Sequence, residues 1–170
     1  YNGNSETEAI DANLELLRFP LSMANGFISD QMATLNGYAN GNISLTGSTA
    51  KPLINGKVLL DSVNIRSKEY SLALRINKDS IELQNNILNL NKIDLYGSNK
   101  NPLTVDGSIN MKDLGDIKLD LSMQARNFEL INASKTKDAT AYGRVMVDLN
   151  TTLKGDMNDI SMRGQLNVLG

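Results

Sequence analysis

Between Gly41 and Leu60 aliphatic and polar residues alternate, with a glycine set into the aliphatic parity of each of two arms. The first arm is Gly41-Asn-Ile43-Ser-Leu45-Thr-Gly47, Ser48 to Lys51 make a turn, and Pro52-Leu-Ile54-Asn-Gly56-Lys-Val58-Leu-Leu60 returns. A period of two puts the aliphatic set on one face of each arm, so the stretch predicts a β-hairpin with a single apolar face. Glycine in register with that face leaves it bare at one point, where another group can approach the backbone closely. The phrase recurs in Val105-Asp-Gly107-Ser-Ile109-Asn-Met111, in Ala141-Tyr-Gly143-Arg-Val145-Met-Val147 and in Met162-Arg-Gly164-Gln-Leu166-Asn-Val168. The chain repeats one amphipathic strand, so its strands must share an apolar surface.

The rest of the chain follows the same pattern. Residues 1–7 are polar and expected to fray. Ile10, Ala12, Leu14 and Leu16 alternate with polar residues in a first strand ending near Arg18. From Pro20 the spacing changes to three and four (Leu21, Ala24, Phe27, Ile28, Met32), which predicts a short helix over 20–33 despite Asn25-Gly26 in its middle. Asp61 to Glu69 has no clean period and reads as a wide connection. A strand from Tyr70 to Ile76 is followed by a turn at Asn77 to Ser80, a return through Ile81 and Leu83, and two short arms around Asn91-Lys92. Leu103 to Met111 and Ile117 to Ala125 form the next pair, Phe128 to Thr140 reads as a polar loop, and a last hairpin runs from Gly143 to Val168. The sum is roughly ten short strands with tight turns, the pattern of antiparallel β structure.

The faces decide the architecture. A 170-residue chain with 41% hydrophobic residues has enough material for one domain. One modest helix cannot cover so many one-sided strands, and glycine on the apolar parity favours curvature over a filled sandwich. We therefore expect an all-β fold, a curled antiparallel-rich sheet forming an open apolar groove. Its lining would be Ile43, Leu45, Ile54, Val58, Leu60, Leu72, Leu74, Ile76, Ile81, Leu83, Leu88, Leu90, Ile93, Leu95, Val105, Ile109, Met111, Ile117, Leu119, Leu121, Met123, Val145, Val147, Leu149, Met162, Leu166 and Val168. Gly41, Gly56, Gly107, Gly143 and Gly164 would form its floor. With aromatics at only 5% and no Trp, that lining is smooth and aliphatic.

Chemistry finds few candidates. The chain has no His and no Cys, which removes the usual general base, the thiol nucleophile and the commonest transition-metal ligands. Ser48-Thr-Ala-Lys51 has the spacing of a Ser-x-x-Lys nucleophile but lies in a hairpin turn instead of opening a helix, and no Lys-Thr-Gly follows. Asp156-Met-Asn158-Asp159 lacks the further ligands of a calcium loop. Three Asn-x-Ser/Thr triplets, beginning at Asn42, Asn132 and Asn150, are frequent by chance in a chain so rich in Asn. We expect neither an enzyme nor a cofactor. A net charge of -2 with interspersed signs also argues against a nucleic-acid partner.

At the level of ordered motifs the chain resembles the C-terminal region of TamB proteins, members of the AsmA-like group of long envelope proteins. The resemblance rests on Leu17 to Leu21 with its Pro20, on Gly37-x-x-x-Gly41-x-Ile43-x-Leu45-x-Gly47, and on Pro52-x-Ile54-x-Gly56-x-Val58-x-Leu60. The Tyr70 strand, Tyr142-Gly143 and the closing Gly164-x-Leu166-x-Val168 continue it, so that it covers about Leu14 to Gly170. It implies a curled β-sheet within a much longer rod, anchored in the inner membrane and spanning the periplasm of a Gram-negative bacterium. Its implied partners are phospholipid acyl chains, a TamA-like outer-membrane barrel acting through the full-length protein, and adjacent β-segments of the same chain. The function implied is a lipid-conducting bridge between the two membranes. The alternative is an assembly factor for outer-membrane proteins that works by strand pairing.

Overall fold

The computed structural model describes residues 9–27, 33–67, 72–133, 143–156 and 159–169. Among them are nine strands: β1 Ala9–Pro20, β2 Thr34–Ser48, β3 Lys51–Ser67, β4 Leu72–Gln84, β5 Ile87–Tyr96, β6 Pro102–Asn110, β7 Lys118–Ala133, β8 Gly143–Asp156 and β9 Asp159–Leu169. Each pairs antiparallel with the next in sequence order, giving one sheet that is not closed, with β1 and β9 at its edges.

Cross-strand partners share a face, so the register can be read as rows running across the sheet. One row is Leu16, Gly41, Val58, Ile81, Leu90, Gly107, Leu121, Leu153 and Met162. The next is Leu14, Ile43, Gly56, Leu83, Leu88, Ile109, Leu119, Gly155 and Ile160. Both contain only aliphatic residues and glycine from edge to edge. The alternation within each strand and the pairing between strands thus agree on a single apolar face.

The strands are fewer and longer than the sequence pattern predicts, because changes of parity are absorbed inside strands. On β1, β3, β5 and β7 the aliphatic spacing widens from two to three, at Leu16/Phe19, Leu60/Val63, Leu90/Ile93 and Ala125/Phe128. The pairing register shifts at each of these places, and a residue with positive φ sits in each gap: Arg18, Ser62, Lys92 and Asn127. These are β-bulges, which insert an extra residue, bend the strand and increase its twist. β3 therefore continues through the predicted connection to Ser67, and β7 extends into the predicted loop as far as Ala133. β5 crosses Asn91-Lys92, and β4 crosses Asn77 to Ser80 without turning.

In three of the four bulges the opposing strand supplies a side-chain oxygen to the exposed N–H. Arg18 donates to Asn40 Oδ1 at 2.8 Å, Lys92 to Asp106 Oδ1 at 3.2 Å and Asn127 to Asp148 Oδ1 at 2.7 Å. A backbone donor displaced from the ladder is thereby kept satisfied. The fourth, at Ser62, lies opposite Gly37, where a Cβ would come within 2.7 Å of the Ser62 carbonyl oxygen.

Curling follows from the bends and shows in the packing. Leu74 on β4 joins Ala125 and Phe128 on β7 and Val147 on β8 in one buried cluster. On a flat sheet, strands three apart lie about 14 Å from each other at the usual spacing, too far for these side chains to pack. A second cluster gathers Leu16, Ala39, Val58, Leu60, Val63, Ile76 and Ile93 from β1 to β5.

The helical element near the N-terminus is a 3-10 helix over Leu21–Phe27, and Pro20 is the last residue of β1, paired with Tyr38. The Asn25 side chain takes both backbone groups of Leu35, accepting from its N–H at 2.8 Å and donating to its carbonyl at 3.0 Å. This ties the helix to β2 through a side chain that competes with regular α-helical bonding, and Gly26 adds its own helix penalty. The rest of the predicted helix through Met32 and the segment 1–7 lie outside the described residues, as do Tyr70 and Tyr142.

Candidate functional site

The aliphatic face is the surface most extensively specified by the sequence. Of the residues expected to line a groove, Val58, Leu60, Leu74, Ile76, Ile93, Val105 and Val147 are buried in the two clusters or between them. Most of the others are half-buried, including Ile43, Leu83, Leu88, Ile109, Leu119 and Leu121. Met162, Leu166 and Val168 on β9 are exposed. Met111 and Ile117 sit just outside β6 and β7. One part of the face packs against itself, Leu16 and Val58 included, while the row through Leu14 and the β6–β9 part of the row through Leu16 give a band of partly exposed aliphatic surface.

Burial is deepest around Phe128, which is 1% exposed. β6 ends at Pro102 while β7 runs on, and there Gly97 after β5 meets β7 directly: a Cβ on Gly97 would stand 2.5 Å from the Glu129 carbonyl oxygen. The Arg75 guanidinium donates to the Gly97 carbonyl oxygen at 3.1 Å. Glu129 is buried beside it, and Arg144 Nε donates to Glu129 Oε2 at 2.7 Å. Buried charge needs such pairing, so this end is pinned by an ion pair and a close backbone approach as well as by apolar packing.

At the glycines, the group that approaches closely is the neighbouring strand. A Cβ on Gly41 would run into the Lys57 carbonyl and Val58 Cα, and one on Gly107 into the Asp120 carbonyl and Leu121 Cα. Both have positive φ, where an L side chain is strained, so they serve the twist of adjoining strands. Gly143 differs, having none of the described residues within contact distance of a Cβ.

Several residues of this face were not among those expected to line it: Leu16, Ala39, Val63, Ala125, Phe128 and Leu153. The three-residue aliphatic spacing was their signal. Three polar residues also lie on its rows, one of them Ser67, buried and paired with Leu72. Asp79 is paired with Leu60 and its Oδ1 accepts the Ser80 N–H at 2.8 Å. Thr151, between Met123 and Gly164, is 5% exposed and its Oγ1 has no hydrogen-bond partner among the described residues.

The candidate chemical motifs take part in turns. Ser48 Oγ accepts the Lys51 N–H at 3.2 Å across the β2–β3 hairpin, and Asp156 Oδ1 accepts the Asp159 N–H at 2.9 Å between β8 and β9. Among the described residues no three His, Cys, Asp or Glu side chains come together as metal ligands would.

Fold and face together define a class: a curled, unclosed antiparallel sheet in which one face is predominantly aliphatic and the strands follow one another in order. Residues 89–169 match the family model described as the TamB C-terminal domain, so the part of the chain from within β5 to the end of β9 is similar to that domain. No curated protein and no solved structure matches the chain.

Proposed function

We propose that this chain is a segment of a lipid-conducting bridge between the inner and outer membranes, its aliphatic face holding phospholipid acyl chains. What supports the reading is the pair of rows that run from β1 to β9 with only aliphatic residues and glycine in them. Each methylene withdrawn from water contributes about 0.8 kcal/mol, so one acyl chain along such a surface is held by on the order of 10 kcal/mol without a polar contact. Holding of that strength permits movement only where the next position offers the same environment. Equivalent rows supply it, since an acyl chain shifted by one strand meets another Leu, Ile, Val or Met, or a glycine with no side chain in the way. The chemistry asked of the chain is transfer of a solute between surfaces, with no bond made or broken, and we assign it no enzymatic activity. In this reading the full-length protein is periplasmic and anchored in the inner membrane.

Leu119 is the position of choice for a test, being half-buried on an aliphatic row between Ile109 and Gly155. Leu119→Asp in the full-length protein should leave it folded but abolish phospholipid transfer between the membranes. Lys118→Gln, on the opposite parity and 61% exposed at its side chain, should leave both intact. Normal transfer by a folded Leu119→Asp protein would refute the proposal.

A second reading, assembly of outer-membrane proteins by strand pairing, draws on β9, every residue of which is exposed. An edge strand offers a row of unpaired backbone groups to an incoming strand, the arrangement used in β-augmentation. A TamA-like barrel or an unfolded β-rich client would be its partner.

A further inference from the structure

The polar face carries a feature that the lipid reading does not use. Across β6 to β9 it forms a cleft of about 720 Å³, within the size range of small-ligand sites. The bulge at Arg126 and Asn127 bends β7 at its wall. One row of the register crosses it: Thr104, Gln124, Asn150 and Gln165 are successive cross-strand partners. The Thr104 hydroxyl donates to Asp94 at 2.6 Å, whereas none of the three carboxamides is hydrogen-bonded within the described residues. Elsewhere on this face opposite charges pair, Lys118 with Asp116 at 3.1 Å and Lys154 with Asp120 at 2.9 Å. The cleft has amides where the surrounding surface has ions.

We propose that this cleft binds an uncharged, hydroxyl-rich oligosaccharide. A carboxamide offers a donor and an acceptor together, and a sugar hydroxyl does the same, so the two satisfy each other without net charge. Three amides repeat at the strand spacing of about 4.8 Å, and a ligand lying across the strands meets the same pair of groups at each step. An anionic ligand would call for several cations, yet Arg126 is the one cation lining the cleft and Asp148 stands among the same lining residues. A protein partner would want aromatic or large apolar anchors, but the nonpolar part of the lining is Pro102, Ala125 and Leu149. The amide row lies on the parity opposite the aliphatic rows, so sugar binding stands or falls separately from lipid transfer.

The test is a titration of the isotopically labelled chain with chitotetraose and maltotetraose, followed by the side-chain amide signals in NMR, with a sulfated disaccharide as the anionic comparison. Saturable shifts of the Gln124, Asn150 and Gln165 amides by at least one neutral sugar are expected. The double variant Asn150→Ala/Gln165→Ala should weaken binding by about tenfold, two hydrogen-bonding groups being lost, with an otherwise unchanged backbone spectrum. No saturable response to either neutral sugar in the millimolar range would overturn the proposal. So would a response to the sulfated sugar alone, or unchanged affinity in a folded double variant.

Discussion

At the scale of single residues the fold depends on how the chain accommodates its bulges. The four at Arg18, Ser62, Lys92 and Asn127 each use a residue in the left-handed region, a conformation that non-glycine residues take rarely, while a further register shift between Glu129 and Ile131 on β7 does not. Three of the four recover the displaced N–H through Asn40, Asp106 or Asp148 on the opposing strand. Removing such an acceptor should cost about 1 kcal/mol. Asp148→Ala is therefore predicted to lower the melting temperature by roughly 2–4 °C, with Asn167→Ala, its cross-strand neighbour on β9, as an unaffected control; calorimetry checks both. Thr151 presents the opposite case. Its buried hydroxyl has no partner among the described residues, so Thr151→Val keeps the shape, removes an unsatisfied group and should stabilise the fold by about 1 kcal/mol. A lower melting temperature for Thr151→Val would mean that this hydroxyl is satisfied in solution.

At the scale of strands, alternation made the hairpin from Gly41 to Leu60 legible, and its arms pair with Leu45 opposite Ile54, Ile43 opposite Gly56 and Gly41 opposite Val58. The break in parity was also in the sequence but was read as a break in the strand. Leu90-Asn-Lys-Ile93 looks like two arms around a turn because a period-two pattern has no place for a spacing of three; the bulge keeps the strand continuous while restoring the face. Tertiary pairing likewise overrode the three- and four-residue spacing after Pro20, where the Asn25 amide binds Leu35. The aliphatic parity of each strand was legible in the sequence. Which of its residues would be buried was not, since that depends on curling, and Phe128 is deeply buried because β6 stops short of it. The strand with most freedom is β9, where Ile160, Met162, Leu166 and Val168 are exposed on the aliphatic parity beside an unpaired edge. We predict that the 170-residue chain self-associates with rising concentration in light scattering. Val168→Lys should suppress this by placing a charge on the edge. A monomer at high concentration would remove the basis for strand capture by β9.

At the scale of the molecule the face divides into a packed end and a partly exposed band, and charge should distinguish them. Val147 is 2% exposed in the cluster around Phe128, so Val147→Asp buries a carboxylate without provision for it and should unfold a marginal domain. Leu119→Asp leaves its carboxylate within reach of water and should retain a cooperative thermal transition. Equal loss of folding in both would mean that the whole face is core and that no surface is left to carry lipid. The central claim, that acyl chains occupy this band, is tested most directly by placing a photo-crosslinking amino acid at Leu119 in the full-length protein in cells and identifying the adduct by mass spectrometry, with Lys118 as the outward-facing comparison. Phospholipid attached at Leu119 and absent at Lys118 is the result predicted; a β-rich protein as the adduct at Leu119, or lipid in equal amount at both positions, would contradict it.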